Sequence, residues 1–168
     1  MQEGSTPSLA TNYKLNNDKM KKFKSCISKI GLKRTKSNIK KVKLTNSKEV
    51  SEFARQFYSD DLTIYESVFL ILLNTKNITI GYAKICQGGV RGSSVDLQII
   101  LKYCLDTLAQ SFILIHNHPS GALEPTYEDI VITKAIKKGA ELFHCEFFDH
   151  LILTDDGYFS FKDEDLIV

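Results

Sequence analysis

His116 and His118 stand two residues apart, and ten residues separate His118 from Asp129. Imidazole and carboxylate are the ligand types that hold catalytic zinc, which takes three protein ligands and keeps its fourth position open for water. The apolar run Ser111 to Ile115 leads into the pair and has the character of a buried strand. In an extended chain alternate side chains share a face, so both imidazoles can point at one spot. Pro119 cannot continue a strand ladder and Gly121 permits a sharp bend, so the strand is expected to stop just past the histidines. Thr126 and Asp129 form a T-x-x-D helix start, a relative of the Ser/Thr-x-x-Glu capping box. Asp129 then sits in a first helical turn, where the helix dipole favours a carboxylate. The competing reading makes the histidines loop residues and Asp129 a simple cap. The turn that joins the two halves favours a metal site.

These residues carry a resemblance. His116-x-His118-Pro119 followed by Asp129, with a hydroxyl residue three before it, resembles the JAMM/MPN metalloprotease motif. The longer string His116-Asn117-His118-Pro119-Ser120-Gly121, with Pro125 and Glu128-Asp129, is similar to the RadC family of that superfamily. Glu66, ahead of the apolar run Val68 to Leu73, occupies the place of the motif's upstream glutamate. Asp149 to Thr154 and Gly157 to Phe161 resemble the family's closing strands. The likeness covers about residues 45 to 165. Thr126 stands where the motif usually has Ser, and Leu97-Gln98 stands where RadC proteins often carry Pro-Arg. The helix-hairpin-helix region that precedes the domain in full-length RadC proteins is not recognisable here.

The resemblance implies zinc as cofactor, held by His116, His118 and Asp129, and hydrolysis of a peptide or isopeptide bond. A zinc ion lowers the pKa of bound water from ~16 to about 7. Glu66 is expected to take that proton as general base and return it as general acid. Position alone would make Glu66 an edge charge; the resemblance singles it out. The Thr126 hydroxyl, being donor and acceptor at once, can either cap its helix or also donate to the oxyanion.

The 168 residues suit one ordinary domain plus a tail, and 43% hydrophobic content suffices for a packed core. No apolar stretch reaches transmembrane length, and Met1 to Thr11 lacks the apolar core of a signal peptide. Cys26, Cys86, Cys104 and Cys145 are widely spaced, as expected of idle thiols in a reducing cytoplasm. Charge is unevenly placed: residues 1–43 carry twelve Lys/Arg against two acids (+10), and the remainder ten against eighteen (−8). The division expected is a basic, partly disordered arm (1–43) and a RadC-like domain (44–168). The arm could meet nucleic-acid phosphates, although eleven of its twelve cations are Lys, which suits non-specific attraction. The rival readings are therefore a nucleic-acid-associated, DNA-repair-type protein and a metal-binding scaffold without turnover.

The expected fold is a three-layer α/β sandwich around a mixed sheet, JAMM/MPN-like (cytidine-deaminase-like). A short basic helix is read over Asp18 to Ile30, and a linker or edge strand over Thr35 to Lys43. Ser47 caps a helix to about Tyr58. Ser67–Asn74 and Ile78–Gln87 form a hairpin, and Gly88 to Gly92 a tight turn. Ser93 or Ser94 caps a helix to about Gln110, with Val95, Ile99, Leu101, Leu105 and Leu108 available for the core. Thr126 to Lys138 is the next helix, ended by Gly139. Leu142–Phe147, His150–Thr154 and Tyr158–Phe161 are the last strands. His144 is assigned to the first of these as a structural or surface residue, and His150, which could orient part of the site but has no partner in the sequence, is left outside the ligand set.

Overall fold

The computed structural model of the chain describes residues 33–58, 60–88 and 95–167. The helix expected over Asp18 to Ile30, most of the glycine-rich turn and Ser93-Ser94 lie outside them. Residues Lys36 to Val168 form one compact unit. Its centre is a five-stranded sheet in the order β2-β1-β3-β4-β5, with β1 at Ser67–Leu73, β2 at Thr79–Gln87, β3 at Ser111–Asn117, β4 at Glu146–Leu153 and β5 at Tyr158–Ser160. Only β3 and β4 run parallel; every other pair is antiparallel, so the sheet is mixed.

Strands β1 and β3 are buried along their whole length. Both read as unbroken apolar runs because helices cover both faces of the sheet. On one face lies α1 (Ser47–Ala54), whose Val50, Phe53 and Ala54 pack on Phe69, Ile71, Ile113 and Ile115. On the other lie α2 (Leu97–Thr107) and α3 (Tyr127–Leu142), whose Ile100, Cys104, Ile136 and Ala140 meet Val68, Leu70, Phe112 and Leu114. Each fully buried Leu or Ile contributes about 1.5–3 kcal/mol. The result is the expected three-layer α/β sandwich. The segment ahead of α1 joins the sheet edge: Lys43 bridges Ile78, and Thr79 N–H donates to the Val42 carbonyl at 2.9 Å.

Several element boundaries differ from the sequence reading. Asn46 caps α1, accepting from Glu49 N–H at 3.0 Å, while Ser47 turns inward to donate to Asp163. The α-helix gives way at Arg55 to a 3-10 turn, Arg55–Phe57. Asp96, accepting from Gln98 N–H, caps α2. That start sets a phase in which Ile100 and Cys104 face the sheet, whereas Ile99, Leu105 and Leu108 are exposed. Left-handed Leu108 ends that helix at Thr107, short of Gln110. Gly139 does not end α3. It lies buried inside the helix, where a Cβ would come within 3.3 Å of Leu97 and 3.4 Å of Leu101, so its missing side chain lets α2 approach. The stop comes at His144, exposed and left-handed (φ 52°), not in a strand. Leu142 and Phe143 accordingly belong to the helix end and are exposed. The two expected strands beyond are a single one, β4, kinked by a register shift opposite Phe112/Ile113.

Candidate metal centre

Strand β3 carries His116 on the α3 face, beside Leu114 and Phe112, because even-numbered residues share that face. The strand runs to Asn117, and His118 is held just past its end by its own N–H, which donates to the Leu153 carbonyl at 2.8 Å. The turn is closed by Gly121 N–H on the His118 carbonyl at 3.0 Å, with Gly121 at φ 79°, a conformation that favours glycine. The turn also supplies an acceptor for the ring: His118 Nδ1 stands 2.8 Å from the Ala122 carbonyl oxygen. A carbonyl only accepts, so Nδ1 carries the proton, and neutral His118 turns a bare Nε2 inward.

Asp129 arrives from the first turn of α3. Thr126 caps that helix with a complete capping box: its Oγ1 accepts from Asp129 N–H at 3.2 Å, and its own N–H donates to Asp129 Oδ2 at 2.8 Å. The Thr126 hydroxyl proton also goes to Asp129 Oδ2, at 2.6 Å. Two of these bonds fix the carboxylate through Oδ2 and leave Oδ1 facing His116.

The three side chains converge. His116 Nε2 lies 3.0 Å from His118 Nε2 and 3.2 Å from Asp129 Oδ1, and His118 Nε2 lies 3.6 Å from Asp129 Oδ2. Donors ~2.0–2.2 Å from one ion at tetrahedral angles stand about 3.3–3.6 Å apart. With one ligand atom from each residue, all within 4.8 Å of one another, this donor set is the possible metal site that the fold creates, and closing it on one small divalent cation takes only a small shift of the side chains. Without a cation the cluster is a proton-sharing ion pair. The Asp129 carboxylate, accepting from the protonated ring, raises the His118 pKa against the cost of burial. Burial works against the Asp129 charge, yet hydrogen bonds from His116 and His118 hold its carboxyl well below the ordinary carboxylate range. A metal replaces such a proton on binding.

Glu66 stands immediately before β1, half-buried, and its carbonyl accepts from Gly88 N–H at 2.9 Å. It lines one cavity of about 270 Å³ with His116, Asp129, Glu128 and His150, and with the apolar Val68, Val95, Leu114 and Ile132. The carboxylate also helps to raise the His118 pKa through its charge. Sequence reasoning passed over what holds Glu66. Asn117, fully buried, sits between the two histidines and points to the opposite face of β3. Its Oδ1 accepts from Ser67 N–H at 2.7 Å, and its Nδ2 donates to the Tyr65 and Leu62 carbonyls at 2.8 and 2.5 Å. Strand alternation was the available signal: a residue between two inward histidines must face away from them. His150, left outside the ligand set for want of a partner in the sequence, has one in the structure. It is buried on β4 with Nε2 2.9 Å from His116 Nδ1, and burial first, then the charge of His116, pushes its pKa well below the ordinary value.

Among the described residues no helix is long and apolar enough to cross a membrane. A family model described as a RadC-like JAB domain matches residues 44–166. A UPF0758 protein of Flavobacterium johnsoniae is 36% identical over 131 residues, which is 78% of this chain and 56% of that protein. A UPF0758 protein of Porphyromonas gingivalis is 41% identical over 103 residues, covering 61% of this chain and 45% of its own length. One from Chlorobaculum parvum is 32% identical over 125 residues, 74% and 55% of the two chains. The chain thus spans about half the length of these curated relatives. A RadC-like JAB domain suggests, at the family level, a JAMM-like metal-dependent hydrolase, and the matched span holds the whole of β1 to β5 together with Glu66, His116, His118 and Asp129. By sequence span, fold and relatives alike, this chain belongs to the RadC-like JAB domain family.

Proposed function

We propose that the domain hydrolyses a peptide or isopeptide bond, with zinc held by His116, His118 and Asp129. The observation that carries this reading is the cluster of His116, His118 and Asp129, with Glu66 lining the same cavity as His116 and Asp129. Zinc bound there would supply Lewis acidity, bringing the pKa of a water from ~16 to about 7. The remaining work falls to the chain. Glu66 takes a proton from the attacking water and returns it to the departing amine, a service worth typically 10²–10⁴-fold in rate. Asn117 holds the backbone on both sides of Glu66, so the carboxylate is aimed by a buried anchor. Val68, Val95, Leu114 and Ile132 give the cavity a dry wall, against which charges interact more strongly than in water. Thr126 keeps Asp129 Oδ2 occupied and so presents Oδ1; its hydroxyl becomes available to an oxyanion only by releasing that bond.

The test begins with elemental analysis. Wild type should carry close to one zinc per chain, and Asp129→Ala should carry none. An unbiased cleavage screen with Glu66→Gln as the blank then separates enzyme from scaffold. Wild-type protein without stoichiometric zinc, or zinc-loaded protein inert across peptide and isopeptide substrates, would refute the hydrolase reading. One further observation favours a second role: the +10 charge of residues 1–43 beside the −8 of the remainder. That arm would bind nucleic-acid backbone, and retention on DNA should be salt-dependent and vanish when residues 1–43 are removed.

A further inference from the structure

His150 is 1% exposed at the back of the metal centre, and the hydrolysis proposed above leaves it without a task. Phe161 stacks on its ring at 4.5 Å between centroids and 15° between planes. One ring nitrogen, Nε2, stands 2.9 Å from His116 Nδ1, and the other, Nδ1, stands 2.6 Å from Thr133 Oγ1. Thr133, also 1% exposed, lies one helical turn beyond Asp129, and its hydroxyl is 2.6 Å from the Asp129 carbonyl oxygen.

The direction of each bond follows from that carbonyl. A carbonyl oxygen only accepts, so the single Thr133 hydroxyl proton goes to Asp129. The other contact of the hydroxyl is then filled by His150 Nδ1–H. A neutral imidazole protonated on Nδ1 has a bare Nε2, which must accept from His116 Nδ1–H. His116, neutral in turn, is left with a bare Nε2, the atom 3.2 Å from Asp129 Oδ1. We infer that Thr133 and His150 form a tautomer lock: they place the proton of His116 on Nδ1 and so reserve its Nε2 for a metal, an assignment that rests on the metal-centre reading above. Both are positioning residues that act through His116. Were the Thr133 proton given to His150 instead, the bond to the Asp129 carbonyl would be lost, both bonds of His150 would reverse, and His116 would present an N–H where a cation must bind. The same hydroxyl grips the backbone of Asp129, so one side chain sets both a ligand's tautomer and another ligand's helical turn.

The test uses Thr133→Val, which keeps the shape and removes the hydroxyl, beside Thr133→Ser, which keeps it. Zinc affinity, measured by competition with a chromophoric chelator, should fall about 10–100-fold in Thr133→Val and stay within about threefold in Thr133→Ser. Long-range ¹H–¹⁵N imidazole spectra of metal-free wild type at about pH 9, where imidazoles are neutral, should show His116 with its proton on Nδ1. Thr133→Ser should preserve that signature and Thr133→Val should shift it. A His116 proton on Nε2 in wild type overturns the inference without any variant, even if Thr133→Val fails to fold. So does a Thr133→Val protein with wild-type affinity and an unchanged spectrum. Wild type that binds no zinc would instead refute the metal-centre reading, and the spectrum would still decide the tautomer.

Discussion

Asn117→Ala removes a side chain that ties the end of β3 to the segment before β1. Three bonds disappear: from Ser67 N–H at 2.7 Å, and to the Tyr65 and Leu62 carbonyls at 2.8 and 2.5 Å. They are not equivalent. Ser67 is 0% exposed, so its stranded N–H costs about 1–3 kcal/mol. Tyr65 is an exposed residue and Leu62 a half-buried one, so water can repair those carbonyls and each loses at most about 1 kcal/mol. The expected destabilisation is therefore about 1–5 kcal/mol, read as a lower urea midpoint at unchanged slope. Asn74→Ala is the control. Its Oδ1 accepts from Lys76 and Ile78 N–H in an exposed turn, and losing those bonds should cost about 1 kcal/mol or less. Hydrogen exchange localises the effect: the Ser67 amide should lose at least about tenfold protection in Asn117→Ala, with the middle of β3 little changed. A stability loss near that of Asn74→Ala, or an unaltered Ser67 amide, would refute the claim that Asn117 anchors Glu66.

Zinc at about a hundred times its dissociation constant should stabilise the domain by about 2.7 kcal/mol, a rise of roughly 10 °C in Tm for a chain of this size. Thermal scans of His118→Ala and Asp129→Ala should show no such rise. Thr126→Ala loses the hydroxyl that caps α3 and its bond to Asp129 Oδ2, so it should cost about 1 kcal/mol of stability and weaken zinc binding, whereas Thr126→Ser should retain both. Asp149, 1% exposed, has its pKa pushed up to about 6 by burial, opposed by bonds donated from Ser160, Lys162 and His150. A pKa higher folded than unfolded means that the native state binds the proton more tightly. The group's contribution is thus full below about pH 4 and declines as pH rises to about 6, by about 3 kcal/mol in all. Urea midpoints across that range should show this decline in wild type and lose it in Asp149→Asn; a flat wild-type profile would count against it.

The candidate cluster of His116, His118 and Asp129 was legible because its signals are local. A histidine pair at i and i+2 needs only an extended backbone to share a face, and Thr126 and Asp129 form a capping box with no help from elsewhere. The sheet strands were legible for a similar reason: Val68 to Leu73 and Ser111 to Ile115 are unbroken apolar runs, buried on both faces. Helix α2 was not. Ile99, Ile100, Leu101, Cys104, Leu105 and Leu108 surround it with apolar side chains, so its sequence offers several faces, and only docking on the sheet selects Ile100 and Cys104. Its cap was expected at Ser93 or Ser94, but Asp96 accepts a backbone N–H as readily and caps the helix instead. Gly139 misled because glycine serves equally to stop a helix and to let a neighbour close in. Its position against Leu97 and Leu101 decides for the second.

By itself the sequence determined which side chains could bind a cation, the strand-turn-helix that delivers them, and the α/β layering of the domain. The tertiary structure alone decided what surrounds them. His150 reaches His116 only because β4 pairs in parallel beside β3, thirty-four residues on, and Asn117 meets Ser67 only across the β1–β3 register, fifty residues apart. The physical reason is range. Capping and strand alternation act over a few residues of chain, whereas the partners of a buried polar group are chosen by which strands the burial of apolar surface brings side by side.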